Sequence, residues 1–179
     1  MLDGELRKEL AVLSAKLMAL TAQTAPKSKG EDDVEIAVIE GEDKDRIVEK
    51  MLEMAESREK NFVRDAESVK KADAILLIGV YGSKPLGLGC GACGFESCKE
   101  FENSERIDGK DFTGPNCAFK LIDLGIAIGS AAKLASILGA DTRVMYRIGT
   151  AARKLGLAKS DVVMGIPVSV TAKNPFFDR

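Results

Sequence analysis

The sequence predicts an α+β fold in which helices pack on a small mixed β-sheet, with an irregular segment rich in cysteine and glycine inserted into it. Apolar runs of strand length alternate along the chain with longer stretches of helical periodicity, which indicates layered helices and strands. Residues 82–116 interrupt this alternation with seven glycines and three cysteines. The chain of 179 residues is long enough for a single domain, 1–179, with its own hydrophobic core.

The first predicted element is an N-terminal helix that ends before Pro26. Five leucines form one stripe along it, at Leu6, Leu10, Leu13, Leu17 and Leu20. This stripe either packs on the protein's own core or forms a coiled-coil seam with a second copy of the chain. A polar loop at 23–32 comes next, followed by a strand at 34–39 and amphipathic helices at 41–57 and 61–71.

The remaining elements flank the inserted segment. Residues 74–81 are a continuous apolar run, which is typical of a central strand covered on both faces. Residues 118–138 are predicted to form a long buried helix, because their charged residues argue against a membrane span. A shorter helix follows at 143–155. Residues 161–170 form the last strand, and Pro167 within it indicates an edge or a bulge.

Composition and charge exclude several classes of function. The net charge is −2 and the pI is about 5.4, so the basic excess of a nucleic-acid-binding protein is absent. The sequence contains no histidine, which removes the commonest general base and zinc ligand and argues against a hydrolase triad. Charged residues interrupt the first twenty positions, unlike the apolar core of a secretion signal. We therefore expect a cytoplasmic protein that binds neither nucleic acid nor a membrane.

Four cysteines lie close together in the pattern C-x2-C-x4-C-x18-C, at Cys90, Cys93, Cys98 and Cys117. In a reducing cytoplasm such a group indicates metal binding rather than disulfides. A [4Fe–4S] cluster needs one thiolate for each iron, and three cysteines from one loop with a fourth from a distance meet that need. A zinc site of four cysteines is usually built from two C-x2-C pairs, and this chain has one. We therefore predict a [4Fe–4S] cluster within segment 83–117, with [2Fe–2S], zinc and unliganded thiols as alternatives.

Glycines and a helix start support this interpretation. Gly89, Gly91 and Gly94 flank the first two cysteines, and they allow positive φ angles that turn backbone N–H groups toward the cluster sulfides. Cys117 lies at the start of the long helix, where the helix dipole favours a negative charge. Both features fit thiolates bound to iron.

The cysteine segment also carries a resemblance. It resembles the four-cysteine [4Fe–4S] domain of Rnf-complex B subunits and corrinoid iron–sulfur proteins. Nearly the whole chain, including TAPKSKG at 24–30 and MGIPVSVTAKNPFFDR at 164–179, is similar to an uncharacterised prokaryotic family described as ferredoxin-domain-containing proteins. This resemblance implies the cluster and assigns no reaction.

A weaker resemblance is to the nitroreductase fold, which binds FMN at a dimer interface. It rests on the N-terminal helix that leads to a basic loop, on the small-residue helix DLGIAIGSAAKLASILGA at 123–140, and on the final strand. Nitroreductases usually open with an Arg-Ser-x-Arg-like stretch, and this chain has lysines there, which bind phosphate as point charges. The resemblance implies a homodimer and a flavin-phosphate contact at Lys27, Ser28, Lys29 and Lys173.

Three functions are compatible with these patterns. The first is electron transfer to a redox partner protein or a small-molecule electron acceptor. The second is an FMN-dependent, nitroreductase-like oxidoreductase that uses the cluster as an electron relay. The third is a structural zinc site with four cysteine ligands. Asp123, an acid within the apolar helix, is expected to pair with Lys120 or to cap a neighbouring helix.

Overall fold

A computed structural model describes residues 2–58 and 61–177 of the chain. Its helices are α1 (Gly4–Thr24), α2 (Glu42–Glu56), α3 (Asn61–Lys70), α4 (Cys98–Glu102), α5 (Ala118–Leu138) and α6 (Tyr146–Lys154). Its strands are β1 (Val34–Ile39), β2 (Ala74–Val80), β3 (Ile107–Asp108), β4 (Thr113–Gly114), β5 (Asp141–Thr142) and β6 (Val162–Ser169). A 3₁₀ turn occupies Ser28–Gly30. The predicted α+β class, with helices on a small sheet, is confirmed.

The main sheet has the strand order β1-β2-β6-β5, and β3 pairs with β4 in a separate hairpin. Every pairing between these described strands is antiparallel. The prediction of a mixed sheet is therefore wrong. A parallel pair needs a crossover connection, whereas the two helices α2 and α3 connect β1 to β2 and return the chain in the opposite direction.

Helices cover both faces of this sheet. All seven residues of β2 are buried, which confirms the predicted central strand. Leu76 and Ile78 pack on one face with residues of α1 and α5. Ile75 and Leu77 point to the other face, against residues of α2, α3 and α6. The fold is a three-layer arrangement with one hydrophobic core on each side of the sheet.

Strand β6 lies inside the sheet, although Pro167 predicted an edge or a bulge. Pro167 is opposite Ile75 in the pairing with β2. Two residues earlier, Gly165 exchanges hydrogen bonds with Met145 on the other side of the strand. Residues two apart in a strand direct their N–H groups to the same side, so Pro167 lacks the N–H that would face β5. Strand β5 pairs with β6 at Ser169 and Val168, and Pro167 lies outside that pairing.

Helices α1 and α5 both have a second apolar face, which points away from the sheet. The buried face of α1 consists of small residues and Met18, and the leucine stripe lies opposite it, with Leu13 49% and Leu20 58% exposed. Helix α5 is likewise buried on one face only, so the predicted burial of this helix applies to the face toward the sheet and not to the opposite one. We use the term outer face for the exposed residues Leu6, Leu13, Leu17, Leu20, Leu121, Ile122, Ile126 and Ile137.

Helix α5 is the one helix of the described chain that is long and apolar enough to cross a membrane, judged by length and composition. Its buried face packs against α1 and the sheet, as in the helical layer of a globular protein. The expectation that the chain does not enter a membrane stays a prediction.

Candidate metal centre

The cysteine segment leaves the sheet after β2 and returns at the start of α5, and its two ends meet. The Cys117 backbone N–H donates to the Gly82 carbonyl oxygen at 2.8 Å. Gly82 has no room for a side chain, because a Cβ atom there would lie 2.2 Å from Asn116 Oδ1. The Asn116 amide also donates to the Thr113 carbonyl oxygen at 2.8 Å. Cys117 is thus fixed to the end of the central strand.

All four cysteines line one pocket of the structure, together with Leu86, Leu88, Phe95 and Phe119. Their exposure increases from Cys117, which is buried, through Cys93 and Cys98 to Cys90, which is exposed. The four cysteines therefore line a single pocket, in which Cys117 lies on the buried side and Cys90 on the side open to solvent.

The loop that carries Cys90 and Cys93 depends on positive φ angles. The φ angles of Gly89, Gly91 and Gly94 are 60°, 67° and 87°, as the sequence predicts. The Gly94 N–H donates to the Gly91 carbonyl at 2.9 Å and closes a turn around Cys93. The Gly89 N–H donates to Cys98 Sγ at 3.3 Å. Such N–H···S bonds are the interactions that tune iron–sulfur centres.

Cys98 is held by a short, anchored helix. It is the first residue of α4, and Ser97 caps that helix by accepting the Glu100 N–H at 3.1 Å. Phe101 is buried and meets the Phe95 ring edge-on, with ring centroids 5.5 Å apart. An aromatic pair of this geometry stabilises the loop next to the thiols.

A single metal ion and an iron–sulfur cluster require different arrangements of the four thiols. Among the described residues, no three cysteine or acidic side chains lie close enough together to bind one metal ion. Zinc needs all its sulfur ligands about 2.3 Å from one point. In a [4Fe–4S] cluster each thiolate binds a different iron, so the ligands surround a wider volume. The pocket that all four cysteines line is compatible with the [4Fe–4S] cluster that their spacing in the sequence predicts.

A buried ion pair lies at the start of α5, three residues after Cys117. Lys120 has no solvent exposure as a residue, and its Nζ lies 2.8 Å from Asp33 Oδ2. Lys84 also contacts Asp33, at 2.7 Å. Burial alone would raise the pKa of Asp33, but the hydrogen bonds from Lys120 and Lys84 outweigh it and hold that pKa below its ordinary value. The pair ties α5 to the start of β1.

Asp123 does not pair with Lys120, and the expectation of a capping role is the correct one. Its Oδ1 atom accepts hydrogen bonds from the Ser28 backbone N–H at 2.9 Å and from the Ser28 hydroxyl at 2.7 Å. It therefore caps the 3₁₀ turn at 28–30. Its Oδ2 atom is buried without a hydrogen-bond partner in the described part of the chain.

The side chains of the basic loop at 27–29 mostly make contacts within the fold. Lys27 is only 7% exposed, and its Nζ donates to the carbonyls of Ala22 and Gln23 at the end of α1. Ser28 is held by Asp123 as described. Lys29 remains half exposed, has a φ of 57°, and donates to the Leu86 carbonyl at 2.9 Å. Since Leu86 lines the cysteine pocket, Lys29 is the basic residue of this loop that reaches the pocket wall.

Lys173 lies at the other end of α5. It follows β6, where Thr171 bonds Asp141 just beyond the C-terminus of α5. Asp123, which holds the basic loop, lies near the N-terminus of the same helix. A helix of 21 residues is about 30 Å long. One chain therefore does not bring Lys173 together with Lys27, Ser28 and Lys29.

Comparison with known proteins assigns the family. Residues 113–179 match the family described as "uncharacterized protein containing a ferredoxin domain" (DUF2148). An "uncharacterized protein" of Archaeoglobus fulgidus is 56% identical over 177 residues, which cover 99% of this chain and 96% of that protein. The chain belongs to this ferredoxin-domain family. The matched stretch of the ferredoxin-domain model contains Cys117, and the other three cysteines precede it.

Solved structures with a similar fold include nitroreductases. A nitroreductase with bound FMN from Desulfitobacterium hafniense superimposes with a TM-score of 0.58 at 14% identity, covering 100% of this chain and 85% of that one. The FMN-dependent nitroreductase NfnB from Mycobacterium smegmatis, in complex with NADPH, gives 0.57 at 14% identity, covering 92% and 80%. At these identities the likeness establishes the nitroreductase fold of this ferredoxin-domain protein and does not assign an activity.

Proposed function

We propose that this ferredoxin-domain protein binds one [4Fe–4S] cluster through Cys90, Cys93, Cys98 and Cys117 and transfers electrons in cytoplasmic redox chemistry. The observation that supports this proposal is the shared pocket lined by all four cysteines. A bound cluster would accept and donate single electrons.

The surroundings of the thiols support an electron-transfer role. Gly89 already directs its N–H at Cys98 Sγ, so a donor to a cluster-bound sulfur is present in the fold. Cys90 is exposed, and Leu88 beside it is also exposed, so one edge of the centre is accessible from solvent. A redox partner protein or a small-molecule acceptor would approach that edge.

Anaerobic purification followed by absorption and EPR spectra, before and after dithionite, tests the proposal. We expect broad visible absorption that dithionite bleaches, together with an EPR signal of the reduced protein. Cys93→Ser should remove most of this absorption, because it deletes one of the four ligands. A Cys93→Ser protein with the full iron content and colour of the wild type would contradict the ligand assignment.

A second candidate is an oxidoreductase in which the cluster exchanges electrons with a bound FMN. The observation that favours it is the contact of Lys29 with Leu86, which brings a half-exposed basic residue to the wall of the cysteine pocket. We propose Lys29 as the flavin-phosphate contact. Lys27 and Ser28 already make hydrogen bonds within the fold, and Lys173 would have to come from a second copy of the chain.

Titration of the purified protein with FMN, followed by flavin fluorescence, tests this candidate. We expect Lys29→Ala to weaken FMN binding about tenfold, consistent with loss of one charged contact. Lys133→Ala is a matched control, because Lys133 is exposed on α5 away from the pocket. Equal affinities for wild type and Lys29→Ala, or no FMN binding at all, would contradict the candidate.

We also propose that the protein is a homodimer that buries the outer face. The eight residues of this face are large, apolar and 36% to 70% exposed, and exposed apolar residues that group on one side of a protein mark an interaction surface. The leucine stripe of α1 lies on the face opposite the residues that pack in the protein's own core. Light scattering coupled to gel filtration tests the proposal.

We expect a dimer for the wild type and a monomer for Leu13→Lys. Val63→Lys is the control, because Val63 is similarly exposed but lies on α3, on the opposite side of the sheet. A monomeric wild type, or a dimeric Leu13→Lys protein, would contradict the proposed interface.

A further inference from the structure

Asp161 lies directly before β6, at the end of the sheet from which the cysteine segment extends. Its Oδ2 atom accepts the Ser83 backbone N–H at 2.8 Å, and its Oδ1 atom lies 3.0 Å from Arg106 Nη2. Its own backbone donates to the Val80 carbonyl at 3.1 Å and accepts from the Thr113 N–H at 3.0 Å. One residue thus contacts both the beginning of the segment and its final part.

Arg106 extends this connection to the last cysteine. It lies between Cys98 and Cys117 in the sequence, and its Nη1 atom donates to the Pro115 carbonyl, two residues before Cys117. The planar guanidinium therefore holds Asp161 with one nitrogen and Pro115 with another. A lysine has a single charged nitrogen and could not hold both partners in this fixed geometry.

We propose that the Asp161–Arg106 ion pair is a positioning clamp that fixes Cys117 relative to the loop bearing the other three cysteines. The inference rests on the proposed cluster, whose fourth ligand must be held at a defined distance from the first three. Asp161 and Arg106 touch none of the thiols, so they are positioning residues that act through Ser83 and Pro115.

The exposure of the pair distinguishes this role from ordinary stabilisation. Asp161 is 15% exposed, but its partner Arg106 is 32% exposed, so solvent screens this ion pair and its own contribution to the free energy of unfolding is small. Partners that orient metal ligands, in contrast, typically change metal affinity by 10- to 100-fold when they are removed. The clamp should therefore affect retention of the cluster far more than thermal stability.

The rate of iron release to a chelator tests the clamp in protein that has first been shown to contain iron and sulfide. We expect Asp161→Asn and Arg106→Gln to release iron about tenfold faster than wild type, and Arg106→Lys to be intermediate. Asp141→Asn is the matched control. Its carboxylate also binds one backbone N–H and one side chain, at the other end of β6. Release rates equal to those of wild type and Asp141→Asn would overturn the proposal.

A second measurement does not need the cluster. In a full-length chain with Cys90, Cys93 and Cys98 changed to serine, only the buried thiol of Cys117 can react with a disulfide reagent such as DTNB. We expect Asp161→Asn in this background to increase that rate about tenfold, because Cys117 is no longer held in place. An unchanged rate would overturn the clamp. A wild-type protein without iron would refute the cluster, and this thiol measurement would then still test the clamp.

Discussion

Lys120 and Asp33 form a buried ion pair, and we expect substitution of Asp33 to cost more unfolding free energy than substitution of Lys120. Removing Asp33 with Asp33→Leu leaves the fully buried Lys120 ammonium, among the described residues, with the Glu31 carbonyl at 3.4 Å and the Glu31 carboxylate at 3.8 Å. A charge left in that state costs about 3–5 kcal/mol of unfolding free energy. Removing Lys120 with Lys120→Met is less costly, since Asp33 keeps Lys84 at 2.7 Å, and we expect about 1–2 kcal/mol.

Thermal unfolding of the two variants measures this difference. In a chain of this size 1 kcal/mol lowers Tm by about 2–4 °C, so Asp33→Leu should lose about 10 °C and Lys120→Met about 5 °C. The double variant should recover part of the loss, because no unpaired charge remains. Lys133→Met, the same change at an exposed position of α5, is the control and should stay within about 2 °C. Equal losses for the two single variants, or additive losses in the double variant, would refute the reasoning.

Three further predictions concern packing, pH and the cysteine loop. Gly149→Ala should cost about 2–3 kcal/mol in chemical unfolding, because its Cβ would lie 1.8 Å from the Val163 carbonyl oxygen; a loss below about 0.5 kcal/mol would contradict this packing. Hydrogen bonding from Arg58 lowers the pKa of Asp111 below its ordinary 3.8, and Asp33 is shifted in the same direction. Their carboxylates therefore stabilise the fold above the unfolded pKa, and this contribution is lost as pH falls through the lower folded pKa values. In urea unfolding from pH 5 to pH 2, the free energy of unfolding should decline less steeply for Asp111→Asn than for wild type. Gly94→Ala introduces a side chain at a φ of 87° with open space around it, so we expect a local cost of about 1 kcal/mol and faster iron release without global unfolding; an unchanged release rate would argue against a role for this turn.

Most elements of the fold could be predicted from local sequence patterns. The strand at 34–39 and the helix at 118–138 have the predicted bounds, because a continuous apolar run or a helical period is visible within one segment. Strand direction was not predictable in this way, since it depends on how α2 and α3 return the chain to the sheet. The two-residue strand β5 is too short to produce a periodic signal.

The leucine stripe of α1 shows a limit of periodicity. Spacing identified the helix correctly, but the core-facing residues are Ala11, Ala15, Met18 and Ala22 on the other side. When a helix has two apolar faces, the sequence does not state which one the protein's own core covers, and small residues are the ones that allow the close approach of α5.

The four candidate ligands were predicted from the spacing of the cysteines, and the positive φ angles of the flanking glycines were predicted from the same segment. The contacts that join the parts of the chain around this site connect residues that are distant in sequence. Asp33 and Lys120, Ser28 and Asp123, and Arg106 and Asp161 are joined only by the tertiary fold. Charged residues at such separations give no pattern that single-sequence reasoning could detect.

The iron and acid-labile sulfide content of anaerobically purified protein tests the central claim most directly. We expect about four irons and four sulfides per chain, with negligible zinc, because the proposed [4Fe–4S] cluster takes one ligand from each of the four cysteines that line the pocket. About one zinc per chain without sulfide would contradict the cluster and leave a structural metal site in its place.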